Sequence, residues 1–237
     1  MEPLALKRRL VDAAAPRYRP AGRFAYHFAR GKLGGDPVFG ALLAHGLVPD
    51  RARILDLGCG QALLASWLAA AEECYRAGEW YAGWPAPPAA WSFRGIELTS
   101  RDVARARQAL GAVADVEAGD IRTAEFGAAD VVVILDVLHY MDAASQEAVL
   151  GRVRAALSPA GVLVLRIGDA SGGLPFRISN WVDRTVPFLR GRGWVRLHCR
   201  SLPQWIGLLE RLGFRTDAIP MSANTPSANV LLVARPR

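Results

Sequence analysis

Cysteine is scarce in this chain: Cys59, Cys74 and Cys199 are the only three in 237 residues, with no C-x-x-C pair. An odd, widely spaced set builds neither a disulfide framework nor a zinc site, which points to a reducing compartment and no metal. Lysine is nearly missing, since 27 of the 29 basic residues are arginine. Long apolar runs are absent too, so no segment reaches the roughly 18 residues of a membrane span. Met1-Glu2-Pro3-Leu4 leads into Lys7-Arg8-Arg9 without the apolar stretch of a secretory signal. A soluble cytoplasmic protein with no integral membrane association is the expectation.

What the chain does contain is core-forming material, 51% hydrophobic against 22% charged. That excludes disorder for most of its length and favours one large domain over two small ones. The net charge of +7 is unevenly spread. Residues 1–53 carry 10 basic and 4 acidic groups, residues 54–150 carry 6 and 14, and residues 151–237 carry 13 and 4. Basic ends around an acidic middle suit an anionic partner such as nucleic acid, a membrane surface or an acidic carrier protein. The arginines are scattered rather than clustered, however, and a compositional bias of the genome is the simpler source.

From Arg53 onward, short apolar runs alternate with longer helical ones, the rhythm of βαβ units on a parallel sheet. Strands are expected at Ile54–Leu57, Ser92–Glu97, Ala114–Ala118, Val131–Asp136, Val162–Ile167, Phe214–Pro220 and Asn229–Ala234. Helices are expected at Ala62–Ala77, Arg101–Leu110, Ala143–Leu157 and Pro203–Leu212. Asp142 should cap the third, and Ser158-Pro159-Ala160-Gly161 should stop it. Val131-Val132-Val133-Ile134-Leu135 does not alternate, as in a central strand covered on both faces. The last two strands, separated by residues 222–227, suggest an antiparallel hairpin at the sheet edge. Three segments are extra to this core: a helical cap over residues 1–50 ahead of a domain over 51–237, and inserts at 72–94 and 168–200. All hold aromatic residues, including Tyr26, Trp181 and Trp194. Ligands of such sheets bind at the carboxyl ends of the strands, so these additions are expected to build or cover a pocket.

The most informative stretch is Ile54-Leu55-Asp56-Leu57-Gly58-Cys59-Gly60-Gln61-Ala62, a buried strand ending in an acid, then a glycine turn into a helix. A dinucleotide site would want G-x-G-x-x-G; only G-x-G is present. Here the chain resembles the class I S-adenosylmethionine-dependent methyltransferases, whose first motif is a hydrophobic strand, an acid and G-x-G-x-G. Ala62 replaces the third glycine, narrowing the room beside the ligand. Three further segments match in order: Arg94-Gly95-Ile96-Glu97-Leu98, then Glu117-Ala118-Gly119-Asp120-Ile121-Arg122, then Asp136-Val137-Leu138-His139-Tyr140.

The resemblance implies a doubly wound α/β sheet of order 3-2-1-4-5-7-6, its last strand antiparallel, with S-adenosylmethionine as cofactor. It implies that Asp56, Gly58, Cys59, Gly60 and Gln61 shape the pocket under the methionine part. Glu97, with Leu98 beside it, would hold the ribose, Asp120 and Ile121 the adenine, and Asp136 the reacting end. Methyl transfer is mainly a matter of positioning, with a base needed when the acceptor is a hydroxyl. His139 is the leading candidate base, His198 and His27 are alternatives, and Tyr140 or Tyr26 could orient a hydroxyl. The D/N-P-P-Y/F tetrapeptide of amino-group methylation is missing, and no Pro-Cys pair offers a nucleophile for cytosine carbon. Asp136, Asp169 and Asn180 make no convincing magnesium site.

The chain also resembles uncharacterised bacterial methyltransferases of polyketide-like and aryl polyene pathways, through Phe28–Leu33, Ile134–Tyr140 and Phe176–Arg184. That implies a small aromatic or lipophilic acceptor methylated at oxygen, with a carrier protein as a possible holder. A non-catalytic S-adenosylmethionine-binding regulator and an RNA methyltransferase remain rival readings, although nucleic acid is not the expected partner.

Overall fold

A computed structural model describes residues 1–168, 197–221 and 229–237. Trp181, Trp194, Asp169, Asn180, the Phe176–Arg184 stretch and the 222–227 connection lie outside the described residues. Seven strands form one sheet: β1 (Arg53–Leu57), β2 (Ser92–Glu97), β3 (Asp115–Ala118), β4 (Ala129–Leu135), β5 (Leu157–Gly168), β6 (Phe214–Pro220) and β7 (Asn229–Pro236). Their order is 3-2-1-4-5-7-6, as expected. β1, β2 and β3 pair in parallel, and β7 runs antiparallel to both β5 and β6. β4 is the middle strand, and Val131 to Ile134 have no exposed surface, which is why its sequence does not alternate.

Helices α1 (Pro3–Ala14), α2 (Arg23–Gly35) and α3 (Pro37–Ala44) precede the sheet. Then come α4 (Leu63–Arg76), α5 (Ser100–Leu110), α6 (Ala143–Ala156) and α7 (Leu202–Arg211). Asp142 caps α6 as expected, its carboxylate accepting the Ser145 N–H at 2.8 Å. The helix stops at Ala156, but Ser158-Pro159-Ala160-Gly161 is not a loop: β5 already begins at Leu157. Ser158, preceding a proline, is biased toward extended backbone, which carries the chain straight from helix into strand.

By its contacts the chain forms two compact units, Met1–Glu125 with Ala129–Val131, and Phe126–Ala128 with Val132–Arg237. In the first, α4 is apolar almost all round because both its sides are covered. The N-terminal helices provide one cover. Trp67 donates its indole N–H to the Phe39 carbonyl at 2.9 Å, Ser66 its hydroxyl to Ala14 at 3.0 Å, and Arg17 pairs with Glu73 at 2.6 Å.

The insert at 72–94 does not cover a pocket at the carboxyl ends of the strands. α4 leaves the carboxyl end of β1, so its far end and the loop behind it reach the amino ends, where Ser92 is the register partner of Arg53. There the Arg51 N–H donates to Ala89 and the Ala89 N–H to Asp50, at 2.9 and 2.8 Å. Tyr75, Trp80, Tyr81 and Trp84 stack edge-on with one another at this end.

Candidate functional site

In the first unit the chain leaves β1 after Asp56-Leu57 and turns at Gly58-Cys59-Gly60 into α4. Gly58 and Gly60 take φ of 79° and 56°, the left-handed backbone that glycine adopts without strain. Ala62 has φ of 54°, so the departure from a third glycine is felt as backbone strain of about 1–2 kcal/mol as well as in lost room. The N–H groups of Gly58 and Cys59 donate to the Ile96 carbonyl at 2.8 and 3.3 Å, pinning the turn to β2. The Gly60 N–H donates to Glu97 Oε2 at 3.1 Å, and the Thr99 N–H to Oε1 at 2.7 Å. Glu97 thus fastens the glycine turn to the end of its own strand, leaving a second lone pair on each oxygen. A Cβ built on Gly60 would meet nothing within 4 Å, so the backbone there faces open space.

Gly95 is the counterpart behind the turn. A Cβ there would sit 2.6 Å from Cys59 Sγ and 3.1 Å from Cys59 Cβ. Gly95→Ala must therefore displace Cys59 and the turn it belongs to. We expect a loss of about 1–3 kcal/mol, the usual cost of overpacking, read as a melting midpoint lower by several degrees. An unchanged midpoint would show that the turn yields freely.

Asp56 is 5% exposed, and no arginine or lysine among the described residues pairs with it. Burial first, and the charge of Glu97 second, push its carboxyl up to about 8. Burial also pushes the Cys59 thiol up, helped by Asp56 and Glu97, so this cysteine is a protonated packing group rather than a nucleophile. The first unit thus gathers two carboxyl groups of which Glu97 disfavours the ionisation of Asp56, so that a cation beside them would favour its charged form.

The other expected residues divide. Gln61 turns inward, donating to Asp102 of α5 at 3.2 Å, while its carbonyl accepts the buried Tyr18 hydroxyl at 2.9 Å. Its side chain serves the packing of α5 and the N-terminal helices. Leu98 is 60% exposed beside Glu97, an apolar side chain left on the surface at the strand end. Ile121 is buried. Asp120 is engaged by Arg122, whose guanidinium donates to both its oxygens and whose backbone N–H donates to one. These bonds hold its carboxyl below the ordinary range.

In the second unit, Asp136 follows β4 in left-handed backbone, φ 59°, and forms a bidentate pair with Arg166 of β5. Arg166 is 3% exposed. Sequence reasoning passed over it, although an arginine inside Val162–Ile167 is itself the signal, since a charge in a buried strand requires a partner. His139 and Tyr140 occupy the short helical turn Leu138–Tyr140, their rings 4.2 Å apart. His198 comes to the same place, its N–H donating to the His139 carbonyl at 2.8 Å. The structure so brings together the three candidate catalytic residues, whereas His27 is exposed on α2 in the first unit, edge-on to Tyr26. A separate depression of about 350 Å³ is lined by Pro159, Gly161, Arg215 and Arg235 at the amino end of β5. It contains none of the expected residues. Among the described residues no group of three or more His, Cys, Asp or Glu could hold a metal ion, and no helix is long and apolar enough to cross a membrane.

The strand order, with a glycine turn leaving β1 and an acid closing β2, defines a Rossmann-like methyltransferase. Comparison with known proteins gives the family: the methyltransferase-domain pattern matches residues 23–219, and the chain belongs to that family. It is 33% identical over 171 residues to the carboxy-S-adenosyl-L-methionine synthase of Chromohalobacter salexigens, covering 67% of this chain. The chain spans only 57% of that curated relative. Among solved structures it is similar to the magnesium protoporphyrin IX methyltransferase of Synechocystis PCC 6803 with bound SAH, at a TM-score of 0.59, 18% identity and 93% of each chain. It is also similar to an O-methyltransferase family protein from Burkholderia thailandensis, at a TM-score of 0.60 and 20% identity, over 90% of this chain and 59% of the other.

Proposed function

We propose that this protein binds S-adenosylmethionine and transfers its methyl group to a small aromatic or lipophilic acceptor, at oxygen. The observation that carries the reading is Glu97, whose carboxylate is fixed by the Gly60 and Thr99 N–H groups with acceptor capacity to spare. That donor set fits the cofactor: a rigid carboxylate accepts ribose hydroxyls, and a sulfonium would favour the ionised form of the Asp56 carboxyl beside it. Open space over Gly60 admits close approach of a ligand. When bound, the cofactor supplies an electrophilic methyl group.

Glu97 would hold the ribose, and Asp56, ionised beside the sulfonium, would balance its positive charge. Ile121 and Asp120 would lie against the adenine. His139 takes the hydroxyl proton, with Tyr140 and His198 around it. Leu98 offers apolar surface at the rim. The missing amino-methylation tetrapeptide and the fold shared with an O-methyltransferase family protein support oxygen as the target, and the relative whose name includes S-adenosyl-L-methionine supports the cofactor.

Calorimetric titration with S-adenosylmethionine, and separately with NADH, tests this directly. Micromolar binding of the former alone is expected, followed by turnover on hydroxyaryl acceptors. Failure to bind both S-adenosylmethionine and its demethylated product would overturn the reading. Binding without turnover on any acceptor would favour a regulatory protein.

A further inference from the structure

Gln146 lies in the first turn of α6 and has no exposed surface. A carboxamide buried this completely is tolerated only when its polar atoms are satisfied. Its Nε2 lies 3.1 Å from the Leu138 carbonyl, 3.0 Å from that of Met141 and 2.8 Å from that of His198. Its Oε1 accepts from Arg200 Nε at 2.7 Å. This environment fixes the orientation of the amide: turned over, an oxygen would face three carbonyls and an NH₂ would face a guanidinium. Arg200 is itself anchored, donating through Nη2 to the Ala143 carbonyl at 3.1 Å.

The two carbonyls that Gln146 holds on the turn, at Leu138 and Met141, bracket His139 and Tyr140. The carbonyl of His139 between them is taken by the His198 N–H at 2.8 Å. The backbone of the turn is therefore gripped at three of four consecutive residues, and the segment bearing His198 is tied to the same amide. We propose that Gln146, oriented by Arg200, is a positioning residue that sets the ring of His139 and holds His198 beside it. The kinetic consequence rests on the role given to His139 above, and the positioning itself does not.

The chain has four histidines, His27, His45, His139 and His198, few enough to follow individually by the NMR signals of their rings. Gln146→Glu keeps the bond from Arg200 but puts an acceptor against three carbonyls; Arg200→Lys keeps the amide and removes the planar fork that orients it. In each variant the full-length protein should show shifted ring signals for His139 and His198, with His27 and His45 unmoved. With S-adenosylmethionine, kcat should fall about tenfold or more at unchanged cofactor affinity. If Gln146→Glu does not fold, Arg200→Lys alone decides. Unmoved His139 and His198 signals in a folded variant, or equal shifts of all four, would overturn the proposal. Shifted signals with an unchanged kcat would leave the positioning intact and remove His139 from the chemistry, and a wild-type protein that binds no S-adenosylmethionine would overturn the function while the ring signals still decide the positioning.

Discussion

Glu97→Ala should weaken S-adenosylmethionine binding by about 1–3 kcal/mol, roughly fivefold to 150-fold in dissociation constant by calorimetry. Two losses combine. The hydroxyl hydrogens of a bound ribose would face no carboxylate, and the Gly60 N–H, now held at 3.1 Å, would be released along with the turn it belongs to. Glu97→Gln separates them. The amide retains one oxygen for either Gly60 or Thr99 but must point its NH₂ at the other N–H, so its effect should fall between wild type and alanine. Both donors lie on the partly exposed rim, where water replaces the carboxylate, so the melting midpoint should move much less than the affinity. Equal affinity in all three proteins would remove Glu97 from the site, and the reading of the glycine turn with it.

How much of this was legible beforehand follows from how local each cause is. The glycine turn, the acid ending β2 and the unalternating β4 are short-range features, each written in consecutive residues. They carried the family resemblance that implied the strand order, and they put Asp56 and Glu97 at the ends of the first two strands. The location of the 72–94 insert was also implicit, because a chain leaving a helix before a parallel strand must be at the strand's amino end; aromatic content pointed the other way and misled. Other features had no local signal. Gln146 looks like any polar residue in the first turn of a helix until His198 and Arg200, more than 50 residues away, return to it. Likewise the pairing of Asp120 with Arg122 depends on a side-chain geometry that two residues of spacing permit but do not require.

The pH dependence of the unliganded protein should reveal Asp56. Its folded carboxyl titrates near 8, against an ordinary value of 3.8. A group raised on folding binds its proton more tightly in the native state, so its stabilising contribution is complete below about pH 4 and is lost as pH rises toward 8. Across that window the folding constant attributable to Asp56 falls by up to tenfold per pH unit. Asp56→Asn removes this dependence, and the variant should therefore melt higher than wild type at pH 8.5 while matching it more closely at pH 5. Ligand binding should respond in the opposite sense. A sulfonium favours the ionised carboxylate, so wild-type affinity for S-adenosylmethionine should climb between pH 6 and 8 and then level, whereas the demethylated product, lacking that fixed charge, should show a shallower rise. Asp56→Asn should flatten both. A wild-type melting profile with no downward slope between pH 5 and 8.5 would mean that Asp56 is ionised throughout and that a cation already compensates it.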